Sequence, residues 1–126
     1  MSFPRYVGAF ALTLLVEAPL YVAALVGWFG LSWRRAAALA LAANALTHPA
    51  LWWSLRPWAD DPAYLWVLAG AEAAVCVIEW AVLAAGVIAA RGRGATTRLD
   101  LVLLAAVAVG VNGGSVLAGV VAGRMD

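Results

Sequence analysis

Four long apolar runs constrain the fold of this chain more than any other feature. They cover about residues 6–29, 36–55, 63–90 and 99–121, and each is close to the roughly 20 residues that an α-helix needs to cross a bilayer. The runs are continuous, whereas the strands of a membrane barrel alternate polar and apolar residues. The sequence therefore predicts membrane-spanning helices.

The composition favours a membrane protein over a water-soluble one. Hydrophobic residues make up 66% of the 126 residues and charged residues only 12%. A soluble domain of this length would leave much of that apolar surface in water, whereas lipid solvates it. The net charge of +1 provides no basic surface for nucleic acid, so the bilayer is the predicted partner.

Short connections join the four runs. They cover about residues 30–35, 56–62 and 91–98, and short loops between long helices favour antiparallel neighbours. The sequence predicts one all-α membrane domain over residues 1–126, a polytopic up-down bundle of four transmembrane helices.

Local signals add expectations about helix ends and helix contacts. Asp60 or Asp61 is well placed to cap the third helix, with Pro62 at its first position. Gly110 and Gly114 form a GxxxG pair in the fourth run. Small residues at this spacing allow helices to approach closely, so we expect the pair to pack against another helix.

The arginines predict the orientation of the bundle in a cell membrane. One end of the predicted bundle carries Arg34, Arg35, Arg91, Arg93 and Arg98, and the other carries Arg5, Arg56 and Arg124. The side richer in arginine is normally cytoplasmic. Both termini of this multi-pass chain are therefore expected on the non-cytoplasmic side.

Polar side chains interrupt all four runs. They include Glu17 in the first run, Asn44 and His48 in the second, Glu72 and Glu79 in the third, and Asn112 in the fourth. Counting at about 1.5 Å per residue from the non-cytoplasmic helix ends places all of these except Glu79 within about 6 Å in depth. An ionisable group facing lipid is costly, so we expect this cluster to face the bundle interior.

Prolines lie close to two members of the cluster. Pro19 follows Glu17 by two residues, and Pro49 directly follows His48. Each proline removes one intrahelical hydrogen bond, and a carbonyl freed at membrane depth needs a protein, water or ion partner. A kink that improves helix packing is the other interpretation of each proline.

The leading hypothesis is a cation or proton site formed by Glu17, His48 and Glu72. Asn44 and Asn112 would support it, and Glu79 would be a deeper station on the same face of the third helix. Glutamates and a histidine held together can share a proton. The trio of Glu17, His48 and Glu72 can also provide ligands for a divalent metal such as zinc, manganese or iron.

Other hypotheses stay open at this point. The chain could be an accessory subunit of a larger membrane complex, or form a homo-oligomer, with the polar cluster serving subunit contacts or a shared cofactor. It could be a small metal-dependent enzyme acting at the outer face, which requires an outward-opening cavity that reaches His48. The cluster could also be purely structural, joining helices by hydrogen bonds. No HExxH, GxSxG or phosphate-loop motif is present, so no reaction is indicated.

Overall fold

The computed structural model describes residues 3–122, and four α-helices account for most of them. The helices are α1 (Phe3–Gly27), α2 (Trp33–Leu55), α3 (Tyr64–Arg91) and α4 (Arg98–Ala122). Single 3-10 turns lie in the last two connections. The all-helical prediction is confirmed.

Three of the helices are long and apolar enough to cross a membrane. The qualifying segments within the described chain are Tyr6–Gly27, Tyr64–Arg91 and Arg98–Gly119. The 23 residues of α2 are sufficient in length, but this helix is less apolar. It contains Asn44, Thr47 and His48, and two arginines follow Trp33 at its start.

Each helix packs against its neighbours in the chain, and α1 also packs against α4. The four helices therefore form a closed ring in the order of the sequence. Four of the five buried residues of α3 recur every four positions, as Val75, Glu79, Leu83 and Val87, because that spacing keeps them on one face of a helix. A polar residue in such a stripe is directed into the bundle.

The apolar core occupies one half of the bundle. Its largest members include Leu25 and Phe29 near the end of α1, Leu83 and Val87 in the second half of α3, and Leu104 near the start of α4. This half lies towards the end of the bundle that carries Arg34, Arg35, Arg91, Arg93 and Arg98. The buried polar residues lie where this apolar core ends.

Local hydrogen bonds determine where two of the helices begin. The Asp61 carboxylate accepts a hydrogen bond from the Ala63 backbone N–H at 2.7 Å, which holds Pro62 and Ala63 in a turn. Helix α3 consequently begins at Tyr64, two residues after the predicted start at Pro62. At the start of α4, Thr97 Oγ1 accepts from the Asp100 N–H, and Asp100 Oδ2 accepts from the Thr97 N–H, which is a reciprocal capping arrangement.

The glycines of the bundle have two different surroundings. A Cβ atom added to Gly86 of α3 would lie 3.0 Å from Leu39 Cγ and closer still to both Leu39 Cδ atoms, so α2 and α3 approach each other closely here. A Cβ added to Gly110, Gly113 or Gly114 would meet no atom within 4 Å. The expectation that Gly110 and Gly114 pack against another helix is therefore wrong within this chain, because their side of α4 faces open space.

Candidate functional site: a buried glutamate network

Glu79 is the centre of the polar interior. Its side chain is fully buried and accepts hydrogen bonds from all three other helices. Tyr21 of α1 donates to Oε2 at 2.5 Å, Thr47 of α2 lies 2.8 Å from Oε1, and Asn112 Nδ2 of α4 donates to Oε2 at 2.6 Å. One carboxyl group thus joins all four helices.

Tyr21 and Asn112 also contact each other. The Asn112 Nδ2 group lies 3.0 Å from the Tyr21 hydroxyl oxygen and 3.0 Å from the carbonyl oxygen of Ala108, one turn earlier in α4. The amide is therefore held both by its own helix and by the network. This arrangement fixes Tyr21, Glu79 and Asn112 as one hydrogen-bonded group.

Glu17 forms a second buried carboxyl site. Its side chain is 2% exposed, and its Oε1 lies 2.5 Å from the Ser115 hydroxyl. Its Oε2 is buried without a hydrogen-bond partner in the described chain. Tyr21 follows Glu17 by four residues and shares its helix face, so the two glutamate sites are adjacent.

The hydroxyl beside each glutamate has a second acceptor within reach. Thr47 Oγ1 lies 2.8 Å from Glu79 Oε1 and 3.0 Å from the carbonyl oxygen of Ala43. Ser115 Oγ lies 2.5 Å from Glu17 Oε1 and 3.0 Å from the carbonyl oxygen of Asn112. A hydroxyl has one hydrogen to donate, so it can donate to only one of these acceptors at a time.

A cavity of about 80 Å³ adjoins both sites. Its polar lining residues are Thr13, Glu17, Thr47, His48, Glu72, Asn112 and Ser115. The volume exceeds the roughly 15 Å³ that one water needs, and a polar lining is the kind that retains water. Glu79 itself does not line this cavity. Thr47 and Asn112 line it and contact the Glu79 carboxyl group.

His48 lies at the cavity wall beneath a group of aromatic rings. Its imidazole ring is half-buried and packs on Phe10, with 5.1 Å between ring centroids. One turn further along α2, Trp52 packs on Tyr6 at 4.8 Å, and Arg56 lies over the Trp52 ring. The imidazole nitrogens make no hydrogen bond to Glu17, Glu72 or any other described residue.

The structure brings most of the predicted site residues together. Glu17, His48 and Glu72 line one cavity with Asn112, and Glu79 joins this group through Thr47 and Asn112. Asn44 is also buried, but its amide donates to the Ala40 carbonyl at 3.1 Å and its Oδ1 has no partner in the described chain.

Sequence reasoning missed the roles of Tyr21 and of two hydroxyl residues. Thr47 and Ser115 are short polar residues in apolar helices, where they often bond to their own backbone. Tyr21 resembles an ordinary core or interfacial aromatic residue. The sequence did contain a signal for these roles. Tyr21 follows Glu17 by four residues and Ser115 follows Asn112 by three, and residues at these spacings share a helix face.

A three-ligand metal site finds no support in this geometry. Within residues 3–122, no group of three or more histidine, cysteine, aspartate or glutamate side chains is placed to hold a metal ion. Glu17, His48 and Glu72 surround the cavity without forming such a group. The metal-dependent enzyme and accessory-subunit hypotheses both stay predictions.

The fold and site define an all-helical protein with three helices of membrane-spanning length and apolarity and a network of buried glutamates. Comparisons with protein-family models, curated proteins and solved structures find no match to this chain.

Proposed function

We propose that this chain is a multi-pass membrane protein whose interior takes up and relays protons through Glu17 and Glu79. All four helices cross the bilayer in this proposal, and both termini lie on the non-cytoplasmic side. The lower hydropathy of α2 comes partly from Asn44 and Thr47, which are buried, and from His48, which is half-buried. Residues on the outer face of α2, such as Leu41, Leu46 and Trp53, are exposed and suit lipid.

One observation carries the proton proposal: the Thr47 hydroxyl has two acceptors within hydrogen-bond distance, Glu79 Oε1 and the carbonyl oxygen of Ala43. When Glu79 is ionised, Thr47 donates its hydrogen to Glu79 Oε1. When Oε1 carries a proton, that proton is donated to Thr47 Oγ1, and the Thr47 hydrogen turns to the Ala43 carbonyl. Both states satisfy the hydroxyl without moving a heavy atom.

The Glu17 site repeats this arrangement with Ser115. A proton on Glu17 Oε1 is donated to Ser115 Oγ, and the Ser115 hydrogen turns to the Asn112 carbonyl. The described arginine side chains lie at helix ends or in connections, namely Arg34, Arg35, Arg56, Arg91, Arg93 and Arg98. A proton is then the positive charge best able to reach these carboxyl groups.

The cavity supplies the route between the bundle surface and the glutamates. His48 and Glu72 are half-buried and line the cavity, so they can exchange protons with water that enters it. Glu17 borders that water directly, whereas Glu79 is reached through the Thr47 hydroxyl, which both lines the cavity and contacts Oε1. Thr47 is therefore the relay residue between the cavity and Glu79.

The test is proton flux into vesicles that contain the purified protein and a pH-sensitive dye, driven by a potassium diffusion potential. The wild-type chain should conduct protons above the level of protein-free vesicles. Thr47→Val keeps the side-chain shape but removes the hydroxyl, so its flux should fall to the protein-free level. Thr47→Ser restores a hydroxyl and should restore flux.

Helical content and the elution profile from size-exclusion chromatography serve as folding controls for both variants. A wild-type flux no higher than that of protein-free vesicles would contradict the proposal. Equal flux through the folded valine and serine variants would remove Thr47 from the path. A folded valine variant with normal flux and reduced stability would show that the network is structural.

A further inference from the structure

A large apolar groove runs between α3 and α4. It has a volume of about 800 Å³, and its lining includes Leu65, Leu68, Val109, Gly113 and Leu117. Leu65 and Leu117 are exposed by about 70%, so the groove opens at the surface of the bundle. These helices are two of the three with membrane-spanning length and apolarity, which places the groove towards lipid. Its volume lies within the range of small-molecule sites.

One carboxylate interrupts this apolar lining. Glu72 borders the groove and also the inner polar cavity, as Asn112 and Val116 do. Its side chain is half-buried, and it makes no hydrogen bond or ion pair with the described residues. On the side that faces the groove, this carboxylate has apolar side chains around it and no cation among the described residues to pair with.

We propose that the α3–α4 groove binds an amphiphilic monovalent cation, whose apolar body lies in the groove and whose charge lies beside Glu72. A quaternary ammonium or phosphonium group among bulky apolar substituents has this chemistry. Its charge and that of the Glu72 carboxylate attract strongly in a medium of low dielectric constant. The apolar body displaces lipid from the groove, which no described side chain of the protein fills.

Charge complementarity favours this occupant over a second copy of the chain. A copy docked in the groove would have to offer Glu72 a cation at mid-helix depth. The described arginine side chains all lie at helix ends or in connections, too far along the helix axes to do so. The proposal does not depend on proton relay, because it requires only an accessible Glu72 and an open groove.

The test measures binding of tetraphenylphosphonium to the protein in lipid nanodiscs, with binding to empty nanodiscs subtracted. Tetraphenylborate has nearly the same size and shape and the opposite charge, so it serves as the control probe. We expect saturable binding of the cation only. Glu72→Gln should weaken that binding at least about tenfold, since it removes the charge and keeps the shape.

A matched pair of glycine variants tests the position of the site. Gly113→Leu fills the groove and should weaken cation binding by a similar factor. Gly119→Leu makes the same change further along α4, also in open space but outside the groove lining, and should bind as the wild type does.

Three outcomes would overturn the proposal. The first is cation uptake that does not saturate, which indicates partition into lipid. The second is saturable binding that Glu72→Gln or Gly113→Leu leaves unchanged, which places the site elsewhere. The third is a stable wild-type dimer that Gly113→Leu converts to a monomer, which shows that a second copy fills the groove.

Discussion

Tyr21 links Glu79 to Asn112 within the buried network. Its hydroxyl donates to Glu79 and lies 3.0 Å from the Asn112 amide nitrogen. Tyr21→Phe removes this hydroxyl and leaves the ring, so a buried carboxyl loses a donor. We expect the free energy of unfolding to fall by about 1–3 kcal/mol, measured by equilibrium unfolding in mixed detergent–SDS micelles.

The control for this change is Tyr64→Phe. Tyr64 lies at the start of α3, outside the network, so its loss of a hydroxyl should change stability by less than about 0.5 kcal/mol. Equal effects of the two substitutions would mean that the Tyr21 hydroxyl contributes nothing particular to the buried network.

At the residue scale, the sequence predicted polar groups that lie inside but not which of them is central. Glu17, Asn44, Glu79 and Asn112 are buried, as the cost of placing them in lipid requires, whereas His48 and Glu72 are half-buried. The central position of Glu79 depends on three side-chain directions in other helices. No periodicity within α3 contains that information.

At the element scale, Gly86 marks the close contact between α2 and α3. Gly86→Ala should push Leu39 aside. We expect it to be less stable than Gly70→Ala, a change elsewhere on α3 where the added methyl group meets no atom within 4 Å. The expected difference in the free energy of unfolding is about 1–3 kcal/mol. Without a clash, alanine in place of glycine favours a helix by up to about 1 kcal/mol.

A second substitution at Leu39 tests the cause of that difference. In a Leu39→Ala background the obstructing atoms are gone, so Gly86→Ala and Gly70→Ala should have similar effects on stability. A difference that persists in this background would show that Leu39 is not the obstacle.

Helix length explains why depth counting placed Glu79 away from the other polar residues. The count assumes that neighbouring helices begin at the same level. Helix α3 has 28 residues, whereas α2 has 23. A longer helix extends beyond a shorter neighbour, so a residue that is deep when counted from its own end lies level with Thr47 of α2.

At the scale of the whole molecule, the proposal that all four helices cross the bilayer predicts on which side each connection lies. In a Cys76→Ser background, single cysteines at Ser32, Asp60 and Gly94 report on the three connections. If all four helices cross in the proposed orientation, a membrane-impermeant maleimide added to intact cells should label Asp60→Cys. Ser32→Cys and Gly94→Cys should be labelled only after permeabilisation.

Labelling of Ser32→Cys and Asp60→Cys from the same side would show that α2 does not cross. Detergent-solubilised protein is the control for reactivity, because all three cysteines should then react. The sequence predicted four helices from run length alone, but it could not separate a spanning helix from a less apolar one buried among its neighbours. Whether a less apolar helix can span a membrane depends on which of its residues face lipid. The packing of the four helices determines which residues those are.

The sharing of Glu79 among four helices also has a consequence for synthesis of the chain. Two of its donors, Tyr21 and Thr47, belong to helices made before α3, whereas Asn112 belongs to α4, which is made last. In the proposed membrane arrangement, a nascent chain that has inserted α1, α2 and α3 holds this carboxyl group with an incomplete set of hydrogen-bond donors. Insertion of α4 would complete the set, so Glu79 would distinguish a finished bundle from an unfinished one.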